Sequence, residues 1–132
     1  MKSLLLPDVQ TVVDQLLSDC PFLTTPNGAF DQCVAASKTL EQDLLKAGIA
    51  PTRISVVGVQ GYKPEARMLA EGLLPAIWKS LPQSTWSHFV TKVDSLYIDL
   101  TAKQFDPDHP CALVMFEDEL QAMWQVVGTR II

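Results

Sequence analysis

The sequence predicts an α+β fold, with amino-terminal helices packed on an antiparallel β-sheet in a single domain over residues 1–132. Three observations predict it. Val9, Val12, Val13, Leu16 and Leu17 recur at the spacing of one helix face. Later runs rich in branched and aromatic residues are short, and two of them flank only Asp94-Ser95, the pattern of a β-hairpin. Hydrophobic residues make up 48% of the 132 and charged residues 19%, which supports one packed core and argues against a mainly disordered chain.

The elements follow in order. Residues 8–18 form the first helix, with Asp8 as its expected N-cap and Cys20-Pro21 as its stop, because a residue before proline avoids helical angles. Residues 24–28 read as a loop. A second helix runs from near Asp31, its expected N-cap, to about Ala47, with Gly48 as the C-terminal stop. Leu40, Leu44 and Ala47 share a face with Cys33 and Ala36, while Lys38, Glu41, Gln42 and Lys46 are expected mostly towards water.

Arg53 to Val59 reads as a strand, residues 60–64 as a turn, and residues 65–80 as a third helix that Gly72 and Pro75 kink or divide. Strands over Trp86 to Val93 and Leu96 to Thr101 make the hairpin. After a loop over residues 105–110, Cys111 to Phe116 is a further strand, residues 117–124 a short helix or a polar excursion, and residues 125–132 a strand or tail.

Several function classes lose support at this level. The net charge is −5 and no basic or basic-aromatic stripe occurs, so neither nucleic acid nor an anionic membrane is an expected partner. The apolar run at Leu4-Leu5-Leu6 stops at Pro7, short of the roughly 7–15 residues of a signal-peptide core. No stretch reaches the roughly 18 apolar residues of a membrane span. The expected location is the cytoplasm, or delivery into a target cell without a conventional cleaved signal. Three cysteines without a CxxC pair argue against a disulfide framework. With His88 and His109 they lack zinc-ligand spacing, so no metal site and no cofactor is expected.

Three stretches carry chemistry. Cys33 opens a helix, where the positive end of the helix dipole favours a thiolate. A tight turn at Asp94-Ser95 pairs Val93 with Leu96 and therefore Val90 with Asp99. His88 and Asp99 then share one sheet face as diagonal neighbours, about 7–8 Å apart at the backbone. A slip of one residue would separate them. Asp99 lies among apolar strand residues and so requires a partner. The expected constellation is Cys33 as nucleophile, His88 as base and Asp99 as the acid that orients it. The Cys33 backbone N–H is one expected oxyanion donor. Gln32 is a candidate for the second, and the sequence leaves that donor open. Trp86, two residues before His88, falls on the same face and is a candidate wall for substrate. Cys20, Cys111, Trp78 and Trp124 read as packing residues and His109 as solvated.

A helix-opening cysteine, then a histidine strand Trp86-Ser87-His88-Phe89-Val90, then Asp99-Leu100-Thr101 on the next strand resembles the papain-like cysteine hydrolases. The nearer likeness is to compact bacterial papain-fold toxin and effector domains, and it includes Gly28-x4-Cys33-x2-Ala36. It spans residues 28 to about 107. The chain departs from papain in having Gln32 immediately before the cysteine, where papain has a glutamine well upstream in a Gly-rich surround. The resemblance implies a papain-like fold and cysteine-dependent hydrolysis of an amide, either a peptide bond or a glutamine side chain. It also implies a protein or peptide substrate, and it allows a cognate inhibitor or immunity-type partner. The alternative class is a non-enzymatic binding or immunity-type protein on a retired hydrolase fold.

Overall fold

The computed structural model describes residues 5–29, 32–58, 87–106 and 108–131. The expected α+β class forms. The expected turn at 60–64, the expected helix at 65–80, Trp78 and Trp86 lie outside the described residues.

Among the described residues, five strands make one antiparallel sheet: β1 (Thr52–Gly58), β2 (Ser87–Val93), β3 (Leu96–Asp99), β4 (Leu113–Met115) and β5 (Trp124–Ile131). Their order is β4-β3-β2-β1-β5. The α-helices among the described residues are α1 (Pro7–Asp19), the four-residue α2 (Pro26–Ala29), α3 (Cys33–Lys46) and α4 (Glu117–Met123).

The hairpin register matches the expectation, with Val93 opposite Leu96, Lys92 opposite Tyr97 and Thr91 opposite Ile98. Asp94 has φ +54°, a left-handed angle that Asp tolerates better than most residues and that a two-residue hairpin turn requires. This register divides the side chains between two cores. Val93, Ile98 and Leu100 face α1 and α3, packing with Val9, Val13, Leu16, Leu40 and Leu44. On the other face, Ile54, Val56, Val90 and Tyr97 pack with Phe105, Met115, Leu120 and Trp124. Leu120 brings α4 onto that second face.

Helix α3 is held at three places. Its last turn closes as a Schellman motif: Ile49 N–H bonds Leu44 C=O at 2.9 Å, Gly48 N–H bonds Leu45 C=O at 3.0 Å, and Gly48 has φ +79°. Before its start, Gly28 is required because a Cβ there would run into the Phe22 carbonyl. At its middle, Arg53 of β1 grips Glu41 in a two-pronged ion pair, Nε to Oε1 and Nη2 to Oε2, both at 2.6 Å. The Glu41 bond raises the Arg53 pKa against the effect of burial.

Four expectations are corrected. Glu41 is buried instead of facing water, which a carboxylate tolerates only with such a partner. The N-cap of α1 is Leu6, and Asp8 sits inside the first turn. The N-cap of α3 is Gln32, while Asp31 lies outside the described residues. The expected loop at 24–28 holds the end of a 3-10 turn (Pro21–Thr24) and most of α2. The later elements are trimmed. β3 ends at Asp99, β4 begins at Leu113, residues 117–123 are helical, and the terminal segment is a strand paired to β1.

Removing one partner of the buried pair strands the other. Arg53→Met is expected to cost about 3–5 kcal/mol in urea denaturation, and the double variant with Glu41→Leu is expected to recover most of it.

Candidate active site

The site is built where β2 and β3 part. Their ladder reaches as far as Thr91 opposite Ile98. Beyond it β3 pairs Asp99 with Leu113 of β4, and the chain then turns at Leu100 and Thr101 into a 3-10 turn, Ala102–Gln104. His88 sits on β2 opposite Val56 of β1. The shared-face argument holds: His88 Nε2 and Asp99 Oδ2 are 2.7 Å apart, in a pair whose side chains are 0% and 2% exposed.

Asp99 is itself fixed. Its Oδ1 accepts the Thr101 backbone N–H at 2.9 Å and the Thr101 hydroxyl at 3.3 Å. Gln104 Nε2 donates to that hydroxyl oxygen at 3.0 Å. Thr101 and Gln104 are buried.

Among the described residues, two aromatic rings pack against His88. Trp124 stacks on it with centroids 4.9 Å apart and planes 26° from parallel, and Phe105 meets it edge-on at 5.0 Å. The sheet register explains the indole. Trp124 pairs with Gly58, two residues along β1 from the partner of His88. An indole face also favours a charged imidazole.

Burial favours the neutral ring, but the charge and hydrogen bond of Asp99 oppose it, reinforced by Cys33. The His88 pKa is pushed up to about 9. Cys33, the first residue of α3, is half-buried. With Nε2 committed to Asp99, Nδ1 is the nitrogen left for the thiol. Among the described residues Nδ1 is sealed from solvent without a hydrogen-bond partner. The sulfur therefore acts on the ring from nearby without being seated in a full hydrogen bond. Thr91 Oγ1 is also buried without a partner among the described residues, and Thr91 lines a small hollow with Cys33, Ser37 and Thr101.

The structure thus pairs His88 with Asp99 and puts Cys33 near enough to the ring to help raise the His88 pKa. Gln32, the N-cap of α3, lines a depression with Cys20, Phe22 and Leu23. Trp86 lies outside the described residues, and among the described residues Trp124 stacks on His88. Sequence reasoning missed the roles of Trp124, Phe105 and Gln104. The pairing of β5 with β1, which brings Trp124 in, has no local signal. Gln104 carries a weak one, as a polar residue three positions after a threonine in an Asp-x-Thr segment. Among the described residues no three of His, Cys, Asp and Glu are grouped to hold a metal ion, and no helix is long and apolar enough to cross a membrane.

Compared with protein-family models, curated proteins and solved structures, the chain matches none.

The raised His88 pKa sets a pH dependence. Between about 6.5 and about 9 the folded chain holds a proton on His88 that the unfolded chain has released. The stabilisation is complete below that window and is lost as pH rises through it. Urea denaturation is expected to show stability falling across this range by on the order of a few kcal/mol. Asp99→Asn is expected to flatten that slope.

Proposed function

We propose that the chain is a cysteine-dependent hydrolase of the papain-like type, acting on an amide of a protein or peptide. The observation that carries this reading is the state of the His88 ring. One nitrogen is bound to a buried carboxylate, the other has no partner among the described residues, and a helix-opening cysteine helps raise the pKa of the ring. A purely structural histidine at 0% exposure would be expected to satisfy both nitrogens.

In this reading Cys33 reacts as a thiolate and His88 starts as an imidazolium. The sulfur attacks the amide carbon, and the carbonyl π pair moves to oxygen. The first N–H groups of a helix lack intrahelical partners, so the Cys33 backbone N–H is a donor for that oxygen. As the oxygen pair returns, the C–N bond breaks and the leaving nitrogen takes the Nδ1 proton. A thioester remains. Water then attacks it, His88 Nδ1 accepts the water proton, and the acid departs as the thiolate is regenerated. Throughout, Asp99 holds Nε2–H and balances the charge on the ring. The same steps serve peptide cleavage and glutamine deamidation. Such a hydrolase would act in the cytoplasm or inside a target cell, where a cognate inhibitor is a natural partner.

The second reading is a non-enzymatic binding protein on a retired hydrolase fold. The complete burial of His88 favours it, because a general base must meet its substrate.

Thiol reactivity separates the two. Cys20, Cys33 and Cys111 are all half-buried, so each serves as a control for the others. Iodoacetamide is expected to modify Cys33 at least about tenfold faster than the other two, with the advantage lost in His88→Ala. Equal rates for the three thiols would remove the hydrolase reading. Given a fast Cys33, ammonia release from glutamine-containing peptides marks a deamidase, and new amino termini mark a protease.

A further inference from the structure

The hydrogen bonds behind Asp99 form a chain with a direction. Gln104 Nε2 donates to Thr101 Oγ1 at 3.0 Å, and Thr101 Oγ1 donates to Asp99 Oδ1 at 3.3 Å. A hydroxyl has one proton to give. Receiving the amide N–H occupies a lone pair of the oxygen and leaves its proton for Asp99. All three side chains are buried, where such bonds are strong and polarise one another. Reversing the first link, with an acceptor in place of the amide nitrogen, would draw the Thr101 proton away and leave Oδ1, among the described residues, with the backbone N–H at 2.9 Å.

We infer that Gln104 is a positioning residue for the His88–Asp99 pair. It sets the direction of the Thr101 hydroxyl, which holds the Asp99 carboxylate plane so that Oδ2 faces His88 Nε2. The consequence lies in the tautomer of the neutral ring. With the carboxylate held, neutral His88 keeps its proton on Nε2 and presents an Nδ1 lone pair on the Cys33 side. With the carboxylate free to turn, the proton distributes over both nitrogens, and part of the population presents Nδ1–H instead. The importance of this for chemistry rests on the hydrolase reading, whereas the tautomer itself does not.

The 15N shifts of His88, recorded above its titration midpoint, report the tautomer directly. The full wild-type chain is expected to show a single Nε2–H form. Gln104→Met, which removes the donor, and Gln104→Glu, which keeps the size and supplies only acceptors, are each expected to add an Nδ1–H population large enough to move both shifts. Thr101→Val is expected to act in the same way, and Thr101→Ser, which retains the hydroxyl, to restore the wild-type pattern. A general loosening of the fold would not distinguish Val from Ser at one position in this way. Should Gln104→Met fail to fold, Gln104→Glu carries the test. Wild-type shifts in the folded Gln104 variants would overturn the inference. Cys33 alkylation in the wild-type chain is read separately: a slow thiol together with a Gln104-dependent tautomer would remove the hydrolase reading and keep this one.

Discussion

The described site depends on one buried contact, the 2.7 Å pair between His88 Nε2 and Asp99 Oδ2. Taking two such groups out of water is costly, and attraction between them compensates only when the remaining polar atoms are also satisfied. On the carboxylate side they are, through Thr101 and, behind it, Gln104. On the imidazole side they are not, because Nδ1 has no hydrogen-bond partner among the described residues. The asymmetry is informative. A pair retained only for stability gains nothing from an orphaned ring nitrogen, which costs about 1–3 kcal/mol when buried. A ring poised to exchange a proton needs that nitrogen open.

Sheet parity assigns the chemistry to two sides. His88, Val90 and Asp99 point with the second core, whereas α3 packs against the first through Leu40 and Leu44. A residue at the start of α3 would ordinarily be screened from His88 by the sheet itself. It is not screened here because β3 leaves β2 after Ile98 and the chain turns away at Thr101, so the ladder is open beside His88. Thr101 serves both arrangements. Its backbone ends the strand, and its N–H and hydroxyl secure Asp99. Phe105, just after the 3-10 turn, then returns to cover the ring that the opening would expose.

Local patterns carried much of this. The helix period marked α1, the glycine at 48 marked the end of α3, and a two-residue turn placed Val93 against Leu96 and thereby His88 and Asp99 on one face. Each of these depends on residues within about a dozen positions of one another. What escaped depends on long-range pairing or on a partner's identity. Trp124 reaches His88 only because β5 pairs with β1 in one register. Glu41 looked like a surface residue because charged positions on a helix usually are, and its burial follows from an arginine twelve positions later on a neighbouring strand. The N-cap was misplaced because aspartate at 31 is the better capping residue, yet the helix opens at Cys33 behind a glutamine with no side-chain cap bond. A cap position left chemically empty at the one helix start that holds a candidate nucleophile leaves its first N–H groups available for another acceptor.

The Glu41–Arg53 pair also explains how Cys33 arrives at the height of His88. Arg53 lies directly opposite Thr91 on β2, so the pair ties the middle of α3 to a fixed level of the sheet. From Glu41 back to Cys33 is eight residues of helix, about 12 Å. From Thr91 back to His88 is three residues of strand, about 10 Å. The helix and strand lie side by side along this length, with Cys33, Ser37 and Leu40 bordering the same hollow as Phe89 and Thr91. Two lever arms of nearly equal length, measured from one anchor, bring their ends together. The anchor is charged and two-pronged, so it resists sliding in a way that an apolar contact does not. A shift of α3 by one turn would move Cys33 about 5 Å along the sheet. The sulfur would then lose its influence on the ring, while the apolar face of the helix, repeating at that same interval, would still find a groove to fill. Packing alone therefore leaves the level of Cys33 undetermined, and the buried ion pair fixes it together with the turns that hold the two ends of α3.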